Sequence, residues 1–125
     1  ARGVFGQNYP DIQAMAKTDF RAVIPRFQPD NYARNTAIID RFKTYAKDRG
    51  MTVSALAMAW VLNRGDHLIP IPGTRTAQHL AEWAKADQIK LSQNDMDEIE
   101  AILPVGFAYG DRYSHTQSRT AERYC

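Results

Sequence analysis

Ile69-Pro70-Ile71-Pro72-Gly73-Thr74-Arg75-Thr76-Ala77-Gln78-His79-Leu80-Ala81-Glu82 is the stretch around which the chain is organised. A short β-branched run bracketed by prolines passes through Gly73-Thr74-Arg75 into the start of an amphipathic helix. An α/β protein presents an anion site in this way: glycine lets the backbone approach a ligand, and the first N–H groups of a helix lack intrahelical partners. Thr74 adds a hydroxyl, and Arg75 adds a guanidinium able to hold phosphate through two parallel bonds. His79 and Glu82, three residues apart, share a helix face within reach of a ribose or base. By themselves these residues also fit a capped helix start with a solvated arginine.

Leu68 to Ile71 reads as a strand, four apolar residues bounded by turn signals. A strand needs neighbours for its N–H and C=O groups, because a buried unpaired group is costly. No second strand is legible, so the expected partners lie upstream of Ala1. The opening Ala1-Arg2-Gly3-Val4-Phe5-Gly6 has neither an initiator Met nor a signal-peptide core and reads as a start in mid-chain.

The remainder is helical in pattern. Residues 1–18 read as loop, with a helical turn near Asp11 to Ala16, and Asp19 to Ile24 as a short helix stopped by Pro25. From Asp30 to Arg49, Ile38, Phe42, Tyr45 and Ala46 recur at helical steps, and Gly50 is a C-cap residue. Thr52 caps the next helix, with Val53, Leu56, Ala57, Trp60 and Val61 on one face and Gly65 at its end. Trp60 reads as core. Thr76 or Thr74 caps a helix to Ala86 with Leu80, Trp83 and Ala84 inward. Ser92 with Asp95 opens a helix through Leu103 that Pro104 stops. Residues 104–125 form an aperiodic tail of interleaved tyrosine and arginine, expected to pack over a pocket or on its own domain.

Composition bounds the function. The 125 residues suit one domain, and 44% hydrophobic content is ordinary for a globular protein. Sixteen Lys and Arg against fourteen Asp and Glu leave a net charge of +2 spread along the chain, with no footprint for nucleic acid or membrane. The single cysteine, Cys125, allows no internal disulfide, and a reducing cytoplasm fits. No spacing assembles a catalytic acid, base or nucleophile with an orienting partner, and His67, His79 and His115 are too dispersed to argue for a metal. The sequence offers a place to hold a ligand without a place to do chemistry.

Ala55-Leu56-Ala57-Met58-Ala59-Trp60-Val61-Leu62, Ile69 to Arg75, and His79-Leu80-Ala81-Glu82, in this order and spacing, resemble the C-terminal part of an aldo-keto reductase of bacterial type. Ala1-Arg2-Gly3 resembles the end of that family's Ser-Pro-Leu-Ala-x-Gly loop. Asp19-Phe20-Arg21 and Pro25-Arg26-Phe27 are similar to related members, as is the tail from Gly110 to Cys125. The resemblance implies an α/β fold, the C-terminal part of a (β/α)8 barrel, mostly helical within this chain with one clear strand. Residues 1–29 would be a cofactor-covering loop, 30–103 the last βα units and C-terminal helix, and 104–125 the tail. The active face of such a barrel lies at the C-terminal ends of its strands.

By the same resemblance the cofactor is NADPH and the substrate a small aldehyde or ketone. Ala1 and Arg2 match the loop beside the pyrophosphate, and Gly73, Thr74 and Arg75 the turn holding the 2′-phosphate. His79 and Glu82 match positions near the adenosine, and Arg26 a contact from the covering loop. Trp83 stands where the family often has Asn, which implies either stacking on adenine or a helix face rotated into packing. The family's catalytic Tyr, Lys, Asp and His belong to its N-terminal half, so this chain would lack them and would need that half of the barrel as its partner. The resemblance also leaves room for a non-catalytic nucleotide sensor like a potassium-channel β-subunit, and the helical pattern for a small interaction fragment.

Overall fold

Proline and capping residues divide the chain into helices. The computed structural model describes residues 2–6 and 8–119. Asp19 accepts a hydrogen bond from the Arg21 amide and starts a 3-10 turn at Phe20–Val23, and Pro25–Phe27 forms a second. Helix α1 spans Pro29–Asp48, with Pro29 in its first turn, where a missing N–H costs nothing. It ends in a paired-amide cap: the Gly50 amide donates to Lys47 O at 2.9 Å and the Met51 amide to Ala46 O at 2.9 Å. Gly50 has φ 68°, the left-handed conformation this cap requires.

Helix α2 (Val53–Leu62) is capped by Thr52 and α3 (Ala77–Trp83) by Thr76. Helix α4 (Gln93–Ile102) starts in a reciprocal box in which Ser92 and Asp95 satisfy each other's amides. A 3-10 turn at Ala86–Gln88 precedes α4, and a short α5 (His115–Ser118) lies in the tail.

Two apolar clusters hold these elements. Phe42, Tyr45 and Ala46 of α1 pack with Leu56 of α2 and Ile99 of α4. Ile24, Phe27 and Tyr32 form the second, which Val4, Tyr9, Ile12 and Met15 of the loop cover. Polar ties add direction. The Tyr45 hydroxyl meets Asp95 at 3.2 Å, and Arg49 lies over the Tyr45 ring while pairing with Glu98 at 2.7 Å. Asn63 stitches the end of α2 to the approach to α4, donating to Ile89 O at 3.0 Å and accepting from the Leu91 amide at 3.2 Å.

Several sequence expectations need correction. Leu68 to Ile71 forms no strand, and no strand occurs among the described residues. The reason is the one that made the run conspicuous: no second extended segment pairs with it, so Ile69 and Ile71 stand 86% and 97% exposed. The fold is therefore all-helical as described, where one strand was expected. Helix α3 stops at Trp83, and Leu80 and Ala84 are exposed, because nothing among the described residues covers that face. Gly65 is not a left-handed cap; α2 ends at Asn63, whose side chain takes the Ala59 carbonyl at 2.8 Å. Asp11 to Ala16 make no helical turn; Asp11 Oδ1 instead takes the amides of Gln13 and Ala14.

Candidate functional site

An open groove of about 1410 Å³ is lined by residues 70–75 and α3, by one face of α2, and by loop residues around Arg2 and Asp19 to Arg21. It exceeds the roughly 300–1,000 Å³ of a usual small-molecule pocket. Arg2, Gly73, Thr74, Arg75, His79, Glu82 and Trp83 all line it. Residues up to 81 positions apart thus converge on one surface from two separated segments.

Each contributes differently. Thr76 caps α3 by accepting from the His79 amide at 3.1 Å, so that amide is already committed. The Thr74 hydroxyl donates to Thr76 O at 3.2 Å and would have to turn to donate to a ligand. A Cβ on Gly73 would meet open space, so the chain's own packing does not demand glycine there. Arg75 is exposed and pairs with no carboxylate among the described residues, leaving its full fork available. The His79 side chain is likewise exposed, and Trp83 is half-buried. Glu82 is partly engaged: its Oε2 accepts from Ser54 Oγ and its carbonyl from Thr52 Oγ1, both at 3.1 Å, tying α3 to the start of α2.

One expected residue falls elsewhere, and another is not among the described residues. Arg26 does not line the groove; its Nε donates to Gly110 O at 3.1 Å and holds the tail. Ala1 lies outside the described residues, as do the final positions from Thr120 to Cys125. Trp60, expected in the core, packs against the core cluster and also lines the groove.

The far wall carries a charged and aromatic cluster. Arg2 adopts φ 54°, a left-handed backbone that costs a residue with a Cβ about 1–2 kcal/mol. Its Nη1 donates to Arg112 O at 2.6 Å, and its guanidinium lies 5.6 Å from the Phe20 ring and 5.0 Å from the Tyr113 ring. Beside it, Arg21 chelates Asp19 through Nε and Nη2, at distances of 2.6 to 3.2 Å, and its Nη1 donates to Arg2 O at 3.2 Å. The hydrogen bonds from Arg21 pull the Asp19 carboxyl down from its ordinary 3.8 to about 2 and raise the guanidinium in turn. Asp19 is therefore a fixed anion neutralised by Arg21, while Arg2 pairs with no carboxylate among the described residues.

Sequence reasoning missed Ser54, Phe20 and Tyr113 in these roles. Asp19-Phe20-Arg21 was visible as a motif, yet its link to Arg2 is not local. Tyr113 and Arg112 were visible only as part of an interleaved tail. Among the described residues no three His, Cys, Asp or Glu gather to hold a metal ion, and no helix is long and apolar enough to cross a membrane.

Comparison with known proteins bears on what the groove holds. Residues 3–104 match the family model described as the aldo/keto reductase family. The chain is 40% identical over 89 residues to a probable aldo-keto reductase 1 of Glycine max, covering 71% of this chain and 26% of the relative. It is 31% identical over 112 residues to an aldo-keto reductase yakc [NADP(+)] of Schizosaccharomyces pombe, covering 90% of this chain and 33% of the relative. The chain thus spans about a quarter to a third of the length of these curated relatives. No solved structure matches it. Because the matched region runs from Gly3, through Gly73 to Arg75, past the end of α4 and so covers most of the sequence, the chain belongs to the aldo/keto reductase family.

Proposed function

We propose that this chain is the cofactor-side, C-terminal portion of an NADPH-dependent aldo-keto reductase that reduces aldehydes or ketones to alcohols. The observation that carries the reading is the convergence of Arg2, Gly73 to Arg75, His79 and Glu82 on one groove, with Arg75 paired to no carboxylate among the described residues. The donor set fits a dinucleotide phosphate: Arg2 and Arg75, on two walls, pair with no carboxylate among the described residues, and the two lining carboxylates, Asp19 and Glu82, are already held by Arg21 and Ser54. The NADP(+) in the name of the Schizosaccharomyces pombe relative agrees with it.

In this reading Arg75 binds the 2′-phosphate through its fork, with Thr74 beside it. His79 and Glu82 border the adenosine, and Trp83 offers a ring or a packing face next to it. Arg2 faces the pyrophosphate. When bound, NADPH supplies the hydride that reduces the carbonyl carbon. The groups that protonate the carbonyl oxygen come from the rest of a (β/α)8 barrel, which also pairs Leu68 to Ile71 and covers Leu80. The isolated chain therefore turns over no substrate, and a cytoplasmic location suits the cofactor.

The test is direct titration of the full-length protein with NADPH and NADH, followed by NADPH oxidation with a panel of aldehydes and ketones. Tight, phosphate-dependent binding with carbonyl-dependent turnover supports the reading. Binding without turnover points to a nucleotide sensor, and equal weak binding of both cofactors removes the 2′-phosphate assignment.

A further inference from the structure

The Arg2 guanidinium is held by residues from the opposite end of the chain. Its Nη1 donates to Arg112 O at 2.6 Å, across 110 positions, and its plane lies 5.0 Å from the Tyr113 ring. The tail that carries these groups is fixed independently of Arg2, two to three residues earlier. Asn35 of α1, itself buried, accepts the Tyr109 amide at 2.8 Å and donates to Tyr109 O at 3.0 Å. Arg26 Nε takes Gly110 O at 3.1 Å. Gly110 has φ 82°, and a Cβ there would come within 2.8 Å of Pro25 C and 2.7 Å of Asn31 Nδ2, so the tail presses against the start of α1 at this point.

Arg2 gains no comparable constraint from its own segment. Its neighbour Gly3 has φ 94°, and Arg21 touches only its carbonyl. A long arginine side chain left free pays rotamer entropy on binding, and one already held between a ring and a carbonyl pays less. The guanidinium also keeps its charge, because a carbonyl and aromatic rings orient it without neutralising it.

We propose that Tyr113 is a positioning residue for anion binding at Arg2, and that the C-terminal tail, locked to α1 through Asn35, sets the affinity of the groove for a diphosphate. The diphosphate is the class of ligand; its identification with a dinucleotide rests on the function proposed above. Phe20 supplies the second ring at 5.6 Å from its own side of the groove, so loss of Tyr113 weakens the hold and does not abolish it.

The experiment titrates full-length protein with inorganic pyrophosphate, and separately with NADPH and NADH, using wild type, Tyr113→Leu, Tyr113→Phe, Asn35→Ala, Arg2→Ala and the Arg2→Ala/Tyr113→Leu pair. Expected is a loss of pyrophosphate affinity of about three- to tenfold in Tyr113→Leu. Tyr113→Phe, which keeps the ring, restores it, and Asn35→Ala reproduces the loss. Tyr113→Leu adds nothing once Arg2 is alanine, the non-additivity of two groups acting as one. NADPH and NADH affinities fall by the same factor, since both carry the diphosphate. Pyrophosphate binding that is absent from wild type, indifferent to Tyr113, or lost additively in the double variant overturns the proposal. Pyrophosphate results as expected with no dinucleotide binding leave the strap standing and remove the dinucleotide reading.

Discussion

Asn35 grips Tyr109 by both of its backbone polar groups, accepting its amide at 2.8 Å and donating to its carbonyl at 3.0 Å across 74 positions. The same Nδ2 reaches Arg26 O at 3.3 Å, so one amide side chain joins α1, the turn before it and the tail. Asn35 is a buried polar residue, 6% exposed, and its hydrogen bonds are what make that burial tolerable.

Asn35→Ala should therefore cost about 1–3 kcal/mol of stability, since it leaves a buried donor and acceptors unpaired. Asn35→Asp should do no better: it still accepts from the Tyr109 amide but sets a carboxylate against two carbonyl oxygens. Urea denaturation compared with wild type checks both, and an unchanged midpoint for Asn35→Ala would show that the tail contributes nothing to folding.

A pH dependence follows from Asp19. Its carboxyl is drawn from 3.8 to about 2 by hydrogen bonds from Arg21, so the unfolded chain binds the proton more readily than the native one. The stabilisation is present above the ordinary value and is lost as pH falls from 3.8 toward 2. Asp19→Asn should flatten the thermal stability profile across that interval and leave the neutral range little changed by titration. Melting curves at stepped pH read it out.

Arg75→Ala in the full-length protein should weaken NADPH far more than NADH. A charge-assisted phosphate contact is at stake, on the order of 1.5–3 kcal/mol, or roughly ten- to 150-fold in Kd. Because Arg75 pairs with no carboxylate among the described residues, its removal strands no partner charge, and the thermal midpoint should hold. Equal losses for the two cofactors would exclude a 2′-phosphate contact.

What was legible in the sequence was local. Thr52, Thr76 and Ser92 with Asp95 cap the helices they were expected to cap, because a cap is decided within three residues. Gly50 closes α1 for the same reason. The strand at Leu68 to Ile71 was not legible as an outcome, since a ladder depends on a neighbour the described residues do not provide. The same absence leaves Leu80 exposed where periodicity pointed it inward. At the site, the hydrogen bond from Arg26 to Gly110 O, 84 positions away, was not legible, because no local spacing reveals it. Glu82 shows both sides: it lines the groove as expected and also buttresses α2 through Ser54, which no helical spacing reveals.

Gly106 and Gly110 separate backbone strain from steric conflict. Both are left-handed, with φ 81° and 82°, so alanine at either position pays about 1–2 kcal/mol for its Cβ. At Gly106 that Cβ meets nothing within 4 Å, and the conformational cost is the whole effect. At Gly110 it comes within 2.8 Å of Pro25 C and 3.0 Å of Arg26 N, backbone atoms that cannot rotate away. Gly110→Ala must therefore lift the tail off α1, giving up the Arg26 bond to Gly110 O and straining the grip of Asn35 on Tyr109 next to it. The expected order is wild type, then Gly106→Ala, then Gly110→Ala, with the second variant lower than the first by at least one hydrogen bond, about 1 kcal/mol. Paired urea melts measure the gap, and equal midpoints for the two alanine variants would mean that the tail does not press on α1 in solution.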